Sequence, residues 1–147
     1  MLKKSSTRSG FTLIELVVVI GILSVLLAIV LVAINPGRQF KQANDTKRKS
    51  DVSAILNAVG QKVAFDKGVI PGAITATAKN IASGAAGADI CSLIMPDYIS
   101  ALPNDPNIGG QVIDCATYDT GYQISTDGTR ITVSAPSAAL ETISLTR

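Results

Sequence analysis

Histidine is absent from this 147-residue chain. Its absence removes the usual general base of Ser and Cys hydrolases and the commonest metal ligand. Cysteine is scarce, with only Cys91 and Cys115. They form no C-x-x-C pair, so zinc ligation and thioredoxin-like redox chemistry have no framework. In an exported domain the two would close one disulfide across the C-terminal region, worth roughly 3–4 kcal/mol in the chain-entropy picture. Two buried free thiols are the alternative. Aromatic residues make up 4 % of the chain, too few to interleave with basic residues as a base-stacking surface. No G-x-x-x-x-G-K-[ST] phosphate loop occurs either. The acids Asp105, Asp114, Asp119 and Asp127 lie in loops without ordered ligand spacing, and read as solvated turn residues instead of a calcium site or a catalytic pair. The residues therefore point away from an enzyme, a metal site and a bound cofactor.

Charge is unevenly distributed. Net charge is +2, but Lys3, Lys4 and Arg8 fall within the first ten residues, which hold no acid. From Val52 onward five basic residues face eight acidic ones, so no broad basic surface for nucleic acid is expected.

What the chain does have is one long apolar run. Residues 11–34 read FTLIELVVVIGILSVLLAIVLVAI, with Glu15 as the only ionisable side chain. As a helix this run would extend about 36 Å, enough to cross the apolar core of a bilayer. A carboxylate inside hydrocarbon is costly and marks a functional position by default. The order of features also matters. In a secretory signal the small-residue cut site follows a shorter apolar stretch, whereas here Gly10 precedes a long one. A cut after Gly10 would remove the basic leader and leave the apolar helix at the new N-terminus.

The segment Gly10-Phe11-Thr12-Leu13-Ile14-Glu15-Leu16 resembles the class III signal of type IV pilins and of the pseudopilins of secretion and competence systems. The resemblance implies that a prepilin peptidase cleaves between Gly10 and Phe11, that the new Phe11 amine is methylated, and that Glu15 acts in filament assembly. It further implies copies of the chain itself, a platform membrane protein and a cytoplasmic assembly ATPase as partners. The subunit would sit in the cytoplasmic membrane before assembly, and in an extracellular pilus or envelope pseudopilus afterwards. Leu102-Pro103-Asn104-Asp105-Pro106 is similar to the LP-x-DP element of many pseudopilins and Gram-positive-type pilins. A physical role for Glu15 stands beside the resemblance. The carboxylate of one subunit would meet the terminal ammonium of its neighbour in a low-dielectric layer, fixing the register of helices that otherwise slide. A pseudopilin is one alternative reading. A monomeric, membrane-anchored exported binding domain is an alternative from a different class.

The expected fold is α+β: a long N-terminal helix, apolar then amphipathic, on a small antiparallel sheet. The expected organisation is a leader over 1–10, a membrane and filament-core helix over 11–36, and a head over 37–147. Within the head we expect an amphipathic helix over 38–66, a variable loop over 68–100 and a β region over 108–147. Asn35-Pro36-Gly37 predicts a kink or short unwound stretch. Val52, Ile55, Leu56, Val59 and Val63 recur at helical spacing, with Phe40 and Ala43 on a compatible face. Lys47, Arg48, Asn57, Gln61 and Lys62 fall on the opposite side, so Lys47-Arg48-Lys49 reads as a solvated face or a contact with lipid headgroups. The Ala- and Gly-rich stretch 68–87 reads as a loop with a short helix near 78–83, and residues 90–99 as a helical turn. Residues 111–114 read as a strand, and 121–135 as a hairpin turning at Asp127-Gly128 that pairs Ile124 with Ile131 and Tyr122 with Val133. Residues 140–145 read as an edge strand.

Overall fold

The computed structural model describes residues 10–147, so the leader lies almost wholly outside the described residues. The chain forms two units, divided between Gln39 and Phe40.

In the first unit, α1 spans Leu13–Ile34 and buries none of its 22 residues. A run made mostly of Leu, Ile and Val, without proline, sustains the helix, and Ser24 satisfies its hydroxyl on the Ile20 carbonyl at 2.7 Å. Asn35 ends α1 in the left-handed region at φ 48°. The next helix, α2 (Pro36–Phe65), begins at once, so the expected interruption over 35–37 narrows to one residue. Proline suits the first helical position because its missing N–H would find no partner there anyway. The Asn35 carbonyl then accepts the Arg38 N–H at 3.1 Å.

The second unit carries the core. Val52, Ile55, Leu56 and Val59 of α2 are buried together with Tyr122, Ile124, Ile131 and Val133 of the sheet. Phe40 and Ala43 do not join them: both are exposed, Phe40 by 72 %. The reason is polar. The first buried positions of α2 are Asp45 and Arg48, so the apolar stripe starts only at Val52.

A four-stranded antiparallel sheet faces α2, in the order β1 (Lys79–Ala82), β4 (Asp119–Thr126), β5 (Ile131–Ala135), β6 (Ile143–Thr146). The first of these strands replaces the short helix expected near 78–83. Ile81 is fully buried between less buried neighbours, and pairing with β4 overrides the helical preference of the alanines. The hairpin forms with its apolar face inward, but Ile124 pairs with Val133 and Thr126 with Ile131. This register is two residues from the expected one. Asp127 receives the backbone N–H groups of Thr129 and Arg130 at 2.8 and 2.6 Å, and its own N–H reaches the Arg130 carbonyl. The turn therefore takes four residues instead of two. A shift of two preserves which face is apolar. The edge strand is β6, starting at Ile143.

Between β1 and β4 lie α3 (Cys91–Ile94) and a two-stranded ribbon, β2 (Leu102–Pro103) with β3 (Gln111–Val112). Cys91 and Cys115 are joined by a disulfide with their Cα atoms 5.5 Å apart. The Tyr118 hydroxyl reaches the Asp89 carboxylate and accepts the backbone N–H groups of Ile90 and Cys91. Burial first, and then Asp89, pushes its pKa up to about 12.

Arg48 departs most from the sequence reading. Its side chain is buried, not solvated. It donates Nε and Nη2 to the two Asp105 oxygens at 2.7 and 2.9 Å, and Nη1 to Asp45 at 2.9 Å. Asp45 also accepts the N–H groups of Ala139 and Leu140 at 3.1 and 2.8 Å. Asp105 is thus a buried ion-pair partner and not a solvated turn acid. The flanking lysines leave in other directions, Lys47 to Asp51 and Lys49 to Glu141, both at 2.6 Å.

The Arg48 hydrogen bonds hold the Asp105 carboxyl below its ordinary pKa. At Asp45 burial pushes the pKa up, but the N–H groups of Ala139 and Leu140 together with Arg48 outweigh it, and the net direction is down. Carboxyls depressed in the folded state stabilise it in full above their unfolded pKa of about 3.9, and that contribution is lost as pH falls further. Head unfolding of the full-length protein in micelles, followed by near-UV circular dichroism, should therefore hold steady from neutrality to about pH 5 and weaken below about pH 4. Arg48→Ala strands two buried carboxylates and should cost about 3–5 kcal/mol at pH 7. A loss under 1 kcal/mol would contradict this account.

Candidate functional site

The N-terminal end of α1 gathers the residues of the apolar signal. Gly10, Phe11 and Thr12 precede the helix and are exposed, Phe11 by 93 %. The Gly10–Phe11 peptide bond therefore lies in non-helical, accessible chain, as a protease requires. Thr12 is the N-cap, with extended backbone at φ −80° and ψ 152°. Its hydroxyl oxygen accepts the Glu15 N–H at 3.3 Å, while one Glu15 oxygen, Oε2, accepts both the Thr12 N–H and the Thr12 hydroxyl at 2.8 Å. This reciprocal arrangement is a capping box, which satisfies helix-start donors that would otherwise be orphaned. The other carboxylate oxygen, Oε1, has no partner among the described residues.

The arrangement gives Glu15 two faces. One oxygen is committed to the start of its own helix. The second, an open acceptor among the described residues, lies at the rim of an apolar rod, beside the positive end of the helix dipole. Such a group can receive a cation from outside the chain while its own helix stays capped.

Of the residues singled out from the sequence, Gly10 and Phe11 lie in the chain just before α1 and Glu15 in its first turn, with Phe11 and Glu15 lining one shallow hollow. Cys91 and Cys115 meet in the second unit. The loop acids do not converge. Asp114, Asp119 and Asp127 each cap a local turn, through the N–H groups of Ala116, Gly121 and Thr129 respectively. Among the described residues no group of three or more His, Cys, Asp or Glu side chains could hold a metal ion. Thr12 was missed, although the spacing Thr12-x-x-Glu15 directly before an apolar run is a readable helix-start signature. Arg48 had no such signal, because a basic triplet on a helix looks alike whether or not one member turns inward.

Residues 5–31 match the family model described as the prokaryotic N-terminal methylation motif. The matched segment is similar to the class III signal peptide of type IV pilins and pseudopilins. No curated protein matches the chain, and no solved structure does.

Replacing Thr12 by alanine removes the cap, at a cost of about 1 kcal/mol to the start of the helix. Hydrogen exchange of the Glu15 amide in micelles should accelerate by about fivefold in Thr12→Ala and stay near wild type in Thr12→Ser. Equal exchange in all three proteins would show that the box does not hold the helix start.

Proposed function

We propose that this chain is the precursor of a type IV pilin-like structural subunit. It is cut between Gly10 and Phe11, methylated on the Phe11 amine, and assembled through Glu15 into a filament of identical copies. The observation that carries this reading is α1: a 22-residue apolar helix with none of its residues buried, bearing at its start a carboxylate with one oxygen unpaired among the described residues. Such a surface needs lipid before assembly and neighbouring helices afterwards. Once Gly10 is removed, the Phe11 ammonium of one copy is the natural occupant of the open Oε1 of Glu15 on the next. The pair would set the axial stagger of helices whose apolar sides carry no register of their own.

In this reading residues 1–10 are the leader, 11–36 the membrane and core helix, and 37–147 the head displayed on the surface. The subunit waits in the cytoplasmic membrane and ends in an extracellular or envelope filament. A prepilin peptidase, a platform membrane protein and an assembly ATPase act on it, and the role is structural, not catalytic. The same chemistry serves a long pilus or the short pseudopilus of a secretion or DNA-uptake machine, which filament length by electron microscopy separates.

Mass spectrometry of protein from the native host should find an N-terminal peptide starting at Phe11 with one added methyl group. Glu15→Ala should still reach the membrane and be cleaved, yet leave the sheared filament fraction empty. An intact Met1, or normal filaments in Glu15→Ala, would overturn the mechanism.

A further inference from the structure

The head carries a feature that neither its core nor the Glu15 chemistry explains. A groove of about 640 Å³ opens between the end of α2 and the β4–β5 turn. Leu56, Val63, Ile70 and Ile131 line it, Gly60 lies along it, and Arg147 forms part of its rim. The Arg147 guanidinium is held there by the Asn57 side chain at 2.8 Å. Lys67 and Arg130, both exposed, adjoin groove residues in sequence, as does Asp127, whose carboxylate is taken up by the Thr129 and Arg130 N–H groups, so with Arg147 the rim carries a net positive charge. Gly60 sits in the interior of α2, where glycine weakens a helix. Nothing in the chain demands it: an added Cβ would meet only the Arg147 side chain, at 3.9 Å. The missing side chain keeps the groove open.

A complementary surface exists on the same head. Ile113 is 81 % exposed, among the most exposed aliphatic side chains of the second unit. Its backbone is bracketed, because the β2–β3 pairing ends at Val112 on one side and the disulfide anchors Cys115 on the other. An apolar side chain on a bracketed backbone loses less freedom on docking. Its surroundings are acidic. Asp114 stands next to Ile113, and Asp119 lines the same shallow hollow, which holds no lysine or arginine.

We infer that the heads of successive copies dock through these two surfaces, with Ile113 of one entering the groove over Gly60 of the next and Asp114 facing Arg147. This inference rests on the self-assembly proposed above and identifies the head contact within it. The two surfaces share no residue, so the contact is heterologous. Repeated without closure, it builds a helix of subunits, not a closed pair.

The test uses the full-length chain in its native host, with the photoreactive residue p-benzoylphenylalanine in place of Ile113. After irradiation, mass spectrometry of the filament fraction should find adducts on groove peptides around Gly60 or Ile131. Gly60→Phe should abolish those adducts while head unfolding stays near wild type. Arg147→Glu should lower the assembled fraction by about tenfold, and adding Asp114→Arg in the same chain should restore it. Filaments whose adducts map elsewhere on the head, or a charge swap that fails to restore assembly, would overturn the contact and leave the Glu15 mechanism standing. Wild-type protein that is processed but never enters a filament fraction would overturn both.

Discussion

The second unit depends on one buried cation. Arg48 lies in the core layer with its guanidinium divided between Asp105, which takes two donors, and Asp45, which takes one. Removing an arginine from water costs several kcal/mol, and only near-complete pairing makes the burial tolerable. Here Asp45 is itself satisfied by two backbone N–H groups from the segment after β5, and Asp105 by that of Asn107. The consequence is positional. One side chain on α2 fixes where the β2–β3 loop and the segment after β5 must lie, although neither supplies many apolar contacts there. A buried ion pair adds little net stability over apolar packing, but it penalises every arrangement in which either carboxylate is displaced. The network therefore selects one packing of loops on α2.

That constraint also explains which parts of the fold were legible. The apolar run, the stripe from Val52 to Val59 and the inward face of the hairpin all follow from periodicity, because burial repeats with the backbone. Arg48 and Asp105 follow no period. Their burial depends on a partner 57 positions away, and pairing of that kind leaves no local trace. The β1 strand was hidden for a related reason. Its alanines favour helix, and only the neighbouring β4 edge makes the extended form better. The hairpin register failed by two residues because Asp127 closes a wider turn through its own carboxylate, a choice that Asp-Gly does not specify alone. At the N-terminus nearly everything was readable, since the capping box, the carboxylate and the apolar run are all local.

The two units solve opposite problems. The head buries its apolar residues against itself and leaves charges outside, apart from the one network that orders it. Among its described residues the first unit buries none: Leu, Ile and Val along all sides of α1 remain exposed. At about 25 cal/mol per Å² such a surface is costly in water. Helix propensity cannot offset that cost, so the surroundings of α1 are part of its structure. In lipid or among like helices, however, an apolar rod has no preferred depth or stagger, because each neighbour offers the same uniform surface.

A single polar group can supply that preference only if it does not destroy the helix it sits on. A carboxylate in the middle of α1 would have no intrachain partner and would be strongly penalised in hydrocarbon. Three residues after the cap, Glu15 avoids most of this penalty, because one of its oxygens replaces water for the Thr12 N–H and hydroxyl. The remaining oxygen keeps its appetite for a cation. The capping box thus makes the charge tolerable and, among the described residues, leaves one oxygen without a partner, and the proposed assembly uses both properties. In the proposed assembly a fully paired Glu15 would set no register, whereas one without the capping box would be driven out of the apolar layer.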